Sequence, residues 1–281
     1  MKIIFSKKGF DSCYGGYPNI IDEKGNFIII PIPLSQEEQS SAKYKGQFYN
    51  EIKCYEKSIY EYMKENNIQK IKNGKAEPIS INNEDIPCHA DPNIHNFFKC
   101  EKSFSGSLGQ IKSALKQLTN CKVEKDDIFL FYSWFKDKES HQDKQIIWGY
   151  LKIDNIIKNP QKLSEEERTK LFNDNSWLRY QPHWTNSDYY KSFENYIYIG
   201  TKFKVFNYNN DTKDLLTLTE KDKSRTNWLI TEFKNKKFCN YKNKIFDSEG
   251  KIKVPCIGQE FIVDILDTDI EIKEWLNKLL K

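Results

Sequence analysis

The chain is short of the features that would assign it quickly. Its arginines are Arg168, Arg179 and Arg225 alone, and it has two methionines. Arginine suits bidentate recognition of phosphate or carboxylate, so these few are more informative than the abundant lysines. Cys13, Cys54, Cys88, Cys100, Cys121, Cys239 and Cys256 make an odd set with no C-x-x-C pair. That argues against a zinc ribbon and a secreted disulfide framework, and the expectation is free thiols in a reducing cytoplasm. No apolar stretch reaches membrane-spanning length, and the first strand runs straight into charges, unlike a secretory leader. A cytoplasmic protein without a membrane partner is expected. Charge is nearly balanced, 44 basic against 40 acidic residues, so the net +4 does not by itself indicate a nucleic-acid surface. Internal repeats, Pro- or Ser-rich linkers and low-complexity tails are all missing. Residues 1–281 therefore read as a single compact α+β domain, with a mixed, largely antiparallel sheet and flanking helices.

What is present is a core built on rings. The 281 residues are 38% hydrophobic and 14% aromatic, enough for a substantial interior in which aromatics replace scarce Leu, Val and Met. The first sixteen residues are the most suggestive. Ile3–Phe5 reads as a short buried strand, followed by Ser6, Lys7, Lys8, Gly9, Asp11, Ser12, Gly15 and Gly16. Glycines let backbone approach a ligand, and successive N–H groups can cradle an anion. A phosphate-holding loop and a plain strand with a glycine turn both fit, since neither common phosphate-loop spacing is present.

Further on, Phe27–Ile32 reads as a second strand. Residues 46–65 carry Phe48, Ile52, Tyr55, Ile59 and Met63 at helical spacing, and 72–86 reads as a polar loop. His89 and Asp91 stand two apart before Pro92. An extended backbone would face both the same way, as a proton-transfer pair or ligand clamp, although a solvated surface turn fits as well. A helix over 107–119, capped by Ser107, would set Gly109 and Gln110 in its first turn. Ile128–Phe135 and Ile146–Ile153 read as a hairpin, with a central strand covered on both faces. Trp177 to Trp184 crowds Arg179 and His183 among rings, which suits either base stacking or packing. A short helix is expected over 164–172, and a last one from about 269 with Ile270, Ile272, Trp275, Leu276 and Leu279 inward.

Taken in order, these segments resemble one family. Ile3–Ser12 with Gly15-Gly16, Pro31-Ile32-Pro33, Cys88–Pro92, Leu108-Gly109-Gln110 with Ala114 and Leu118, Asp127–Phe135, Gln181-Pro182-His183, Leu216–Thr219 and Gly258–Phe261 are similar, collinearly, to the nucleotide modification associated domain 3 family. Two positions depart from it. Gln117-Leu118 stands where that family's helix carries a histidine, and Gln181 replaces the first histidine of a His-Pro-His. The resemblance implies a role in modifying nucleotides or nucleic-acid bases, and names no cofactor.

The expected functional residues follow from both readings. Asp11, His89, Asp91, His183 and Glu260 would supply proton transfer and orientation. Ser6, Lys8, Ser12, Gly15 and Gly16 would hold phosphate, Gln110 and Gln259 would read a base edge, and Arg179 with Trp184 would stack and clamp. A glycosyl or ADP-ribosyl type of transfer is one chemistry for Glu260. The partner would be a nucleotide or DNA, alongside other defence or modification proteins. A non-catalytic sensor of a nucleotide or modified base is the alternative. A metal-dependent phosphoesterase with Asp11, His89, Asp91 and His183 as ligands is the third reading. No compact His-rich motif supports that last reading, and no metal is assigned.

Overall fold

A computed structural model describes residues 1–41, 47–82, 85–94, 104–137, 140–255 and 260–281. The described residues form seven α-helices and twenty strands in several mostly antiparallel sheets, an α+β fold. Eight strands carry the site and its support: β1 (Lys2–Lys7), β2 (Gly106–Ile111), β3 (Ile128–Lys136), β4 (Asp143–Lys152), β5 (Asn155–Lys158), β6 (Asn195–Gly200), β7 (Lys202–Val205) and β8 (Glu260–Asp264). Four helices accompany them: α1 (Lys112–Asn120), α2 (Glu165–Asp174), α3 (Pro182–Thr185) and α4 (Ile270–Leu280). The largest sheet runs β7-β4-β3-β1-β8, and a three-stranded sheet runs β2-β6-β5. Within the large sheet only β1 and β3 are parallel.

The central strands are buried on both faces, as their unbroken apolar runs require. Aromatics fill the space between layers. Phe129 and Phe131 stack nearly parallel on one face of β3, and Trp228 meets Phe5, Tyr132 and Phe261. Each such ring taken fully out of water contributes on the order of 2–3 kcal/mol. The hairpin β3–β4 forms as its apolar runs predict, with a bulge between Phe131 and Tyr132. Helix α4 buries Ile272, Trp275, Leu276 and Leu279, but Ile270, expected inward, sits exposed in its first turn. Helix α2 begins at a Ser164–Glu167 capping box and buries no side chain. No helix among the described residues is long and apolar enough to cross a membrane.

Local chemistry overrides helical spacing in several places. The stretch 46–65 is not one helix. Gln47–Phe48 is a strand, Lys53–Cys54 and Lys57–Ser58 pair as a tight hairpin, and only Ile59–Glu65 is helical. Ser58 and Glu61 form a capping box that fixes the start, and Tyr55 takes φ +56° in the turn. The expected loop at 72–86 contains a hairpin instead, Lys70–Asn73 against Ala76–Ser80, turning at Gly74. Of Phe27–Ile32, only Phe27–Ile28 and Ile32 lie in strands, although all but Ile32 are buried. The expected helix over 107–119 starts only at Lys112. Ser107, Gly109 and Gln110 belong to β2, so Ser107 is no helix cap and Gly109-Gln110 is no first turn. Pairing of β2 along the whole of β6 holds that segment extended, and Lys112 at φ +53° makes the break.

Candidate functional site

Strand registers bring the polar residues together. An antiparallel bridge between Asn93 and Ser107 lays residues 89–93 along the edge of β2, which sets Asp91 beside Gly109. The Gly109 N–H donates to both carboxylate oxygens of Asp91, at 3.0 and 3.1 Å. The Gln181 side-chain amide donates to Asp91 Oδ1 at 3.0 Å and to Ser107 Oγ at 2.9 Å. Gln181 also caps α3 by accepting from the His183 N–H, so one residue places both the helix and the carboxylate. His183 Nδ1 lies 2.8 Å from Asn195 Oδ1, and the Asn195 amide donates back to the His183 carbonyl. Tyr190 stacks on the His183 ring at 4.9 Å, and His89 meets it edge-on at 5.2 Å. A Cβ on Gly109 would sit 2.0 Å from His183 Cδ2, so a residue without a side chain is required under that ring.

One donor atom from each of His89, Asp91 and His183 lies within 4.8 Å of the other two, a grouping that could hold a metal ion. Burial pushes both imidazoles below their ordinary range. For His89 the neighbouring His183 adds to this, and Asp91 only partly opposes it, leaving a pKa of about 3. For His183, burial lowers the value against Asp91 and Asn195. Both rings are therefore neutral at neutral pH.

The second part of the site is Glu260, which is 0% exposed. The β1–β8 register sets it opposite Ser6, and β1 ends one residue before Lys8. Glu260 Oε1 accepts from the Gln110 amide at 2.9 Å and lies 3.6 Å from Lys8 Nζ. Gln110 follows Gly109 in β2 and so projects to the other face of that strand. Burial raises the Glu260 pKa to about 7, against the pull of Lys8 and Ser6, while Asp91 adds to the rise. The second oxygen, Oε2, meets no hydrogen-bond partner of regular geometry among the described residues. The Lys8 charge also acts on both histidines, so Lys8 lies electrostatically between the two parts.

Other expected residues are placed elsewhere. Asp11 accepts from the Cys13 and Tyr14 N–H groups and pairs with Lys7 at 3.2 Å, which organises its own loop. The amides of Asp11 and Gly16 are likewise bonded within that loop, and Tyr14-Gly15 pairs with Lys72-Asn73. Those N–H groups do not form an open anion cradle, while Ser12 is half-buried near the loop tip. Gly15 takes φ +83°, and its missing Cβ makes room for the Phe10 ring. Trp184 is buried with Trp177 in a satellite core, its ring under the Arg168 guanidinium at 4.6 Å, so it offers no face to a base. Arg179 is exposed, bonded to the Ser176 carbonyl and over the Tyr180 ring. Gln259 lies outside the described residues. Gln181, Ser107, Gly109 and Asn195 were not expected in the site. Gln181 had a signal in its departure from the family's histidine, whereas Asn195 had none.

No curated protein and no solved structure matches the chain. The sequence model of one family, nucleotide modification associated domain 3, matches residues 2–264, nearly the full length. The chain belongs to the nucleotide modification associated domain 3 family.

Proposed function

We propose that this chain is an enzyme that modifies a nucleotide or a nucleic-acid base, with Glu260 as its proton-transfer group. The observation that carries this reading is a fully buried carboxyl held by Gln110 and Lys8, whose burial pushes its pKa up to about 7. A group with a pKa near the working pH serves as acid and base in turn. Buried titratable groups of this kind cluster at reactive centres. The family description supports a nucleotide-related substrate. Lys8, 3.6 Å from this carboxyl, would meet a substrate phosphate, and Gln110 would keep one carboxyl oxygen in place. Asp91, His89 and His183 would orient the other end of the substrate. Ser12, Gly15 and Gly16 would serve as the scaffold of the loop.

The test is incubation of the purified full-length protein with nucleotides, nicotinamide dinucleotide and single- or double-stranded DNA, followed by mass spectrometry. A mass change in nucleotide or nucleic acid that vanishes in Glu260→Gln, with fold intact by circular dichroism, is the expected result. Turnover that survives the substitution removes Glu260 from the chemistry. Tight nucleotide binding with no mass change in any substrate would make the protein a sensor instead.

A further inference from the structure

We infer that His89, Asp91 and His183 form a binding site for one divalent first-row transition-metal ion. The donor set is two imidazole nitrogens and one carboxylate oxygen, all mutually within 4.8 Å. Metal bonds of about 2.1 Å in tetrahedral array place ligand atoms roughly 3.4 Å apart, against at most 4.8 Å here, so the donors need draw in by no more than about 1.4 Å. Mixed nitrogen and oxygen donors favour Zn²⁺, Fe²⁺ or Mn²⁺ over Mg²⁺ or Ca²⁺, which prefer oxygen throughout. Three protein ligands also leave positions open for water or substrate.

The surroundings of these residues are those of a supported metal site. The Asn195 amide group donates to the His183 carbonyl, which identifies its oxygen as the atom facing the ring. His183 Nδ1 therefore carries the hydrogen, and Nε2 keeps its lone pair. Asp91 is fixed by two donors, the Gly109 N–H and the Gln181 amide, so its carboxylate is oriented before any ion arrives. The opposing group is Lys8, whose charge is partly met by Glu260. The inference is independent of the proposed proton transfer, because it concerns binding alone.

The experiment uses full-length protein freed of metal with chelator and then titrated calorimetrically with Zn²⁺, Mn²⁺ and Mg²⁺. Uptake of one Zn²⁺ or Mn²⁺ per chain, without comparable Mg²⁺ binding, is expected. His89→Ala and Asp91→Asn should each weaken it by about tenfold or more. A second measurement does not depend on variants folding. Bound Zn²⁺ should protect half-buried His89, but not exposed His141, from diethylpyrocarbonate, as mapped by peptide mass spectrometry. No stoichiometric uptake, uptake unchanged in both variants, or no protection of His89 would each overturn the inference.

Discussion

The charge state of Glu260 can be read from stability as well as from catalysis. Its pKa rises from 4.5 to about 7 in the folded chain, with burial as the largest cause. Between those values the folded protein keeps a proton that the unfolded chain has released. Stability therefore falls as pH rises through this window, and by about pH 8 the deficit approaches about 3 kcal/mol. Glu260→Gln removes the titration while preserving shape. Its amide oxygen can still accept from Gln110, although Lys8 loses its partner at a cost of about 1 kcal/mol. The stability of the variant relative to the parent should thus improve by about 3 kcal/mol from pH 4.5 to pH 9. Urea denaturation at closely spaced pH values, with m unchanged, measures this difference. His89 and His183 act with the opposite sign. Their depressed values favour the fold above the unfolded pKa of 6.5, and that contribution fades as pH falls below it. Both proteins carry these histidines, so their effect largely cancels in the comparison. Parallel pH curves for variant and parent would refute the assignment of a near-neutral carboxyl to Glu260.

Gly109→Ala would place a methyl 2.0 Å from the His183 ring. It should cost about 1–3 kcal/mol by calorimetry and abolish modification, whereas an unchanged melting temperature would contradict the packing described. Gly15→Ala combines φ +83° with a clash on Phe10 and should destabilise by at least about 2 kcal/mol. Activity per folded molecule should persist, and its selective loss would restore the glycine loop as a direct phosphate holder. Arg168→Ala removes the cation over Trp184 together with bonds to the Pro160 carbonyl and Ser187 Oγ. A loss of about 1–2 kcal/mol with unaltered substrate affinity is expected by denaturation and binding assays, since that tryptophan belongs to the core.

Much of the scaffold was readable because its strands are buried on both faces. Long apolar runs such as Ile128–Phe135 admit few other fates, and α4 declares itself through Ile272, Trp275, Leu276 and Leu279. The failures share a cause. Phe48, Ile52, Tyr55, Ile59 and Met63 are spaced as on a helix, but a capping box at Ser58 and a turn at Tyr55 divide them. Ser107 to Gln110 has the composition of a helix start, yet the partner strand β6, some ninety residues away, decides the matter. Site residues divide in the same way. His89 and Asp91 were visible as a local pair, and Glu260 through family resemblance. Gln181 and Asn195 act through contacts of sequence separation 90 and 12, which no local pattern encodes. Trp184 was ambiguous in sequence, because stacking on a base and packing in a core require the same ring.

The position of the candidate site explains why so many polar groups are buried there. Ser6 and Glu260 come from the large sheet, Ser107, Gly109, Gln110 and Asn195 from the three-stranded sheet, and His89 from a small sheet joined to Ile32-Pro33. Where such sheets meet, apolar faces cannot fill the seam completely, because each sheet ends in backbone groups that need partners. The outer edge of β2, bridged at Ser107 by Asn93, is one such end. Asp91 satisfies the Gly109 N–H there, and Gln181 in turn satisfies Asp91 and Ser107. The same chain of bonds that makes the seam stable therefore fixes a carboxylate beside two imidazoles. On the other face of β2, Gln110 holds Glu260 in a place where ionisation is disfavoured. Two kinds of chemistry, a donor cluster of two imidazoles with a carboxylate and a buried carboxyl whose ionisation is disfavoured, are thus held by adjacent residues of one strand. A shift of β2 by a single residue would exchange its faces and dismantle both.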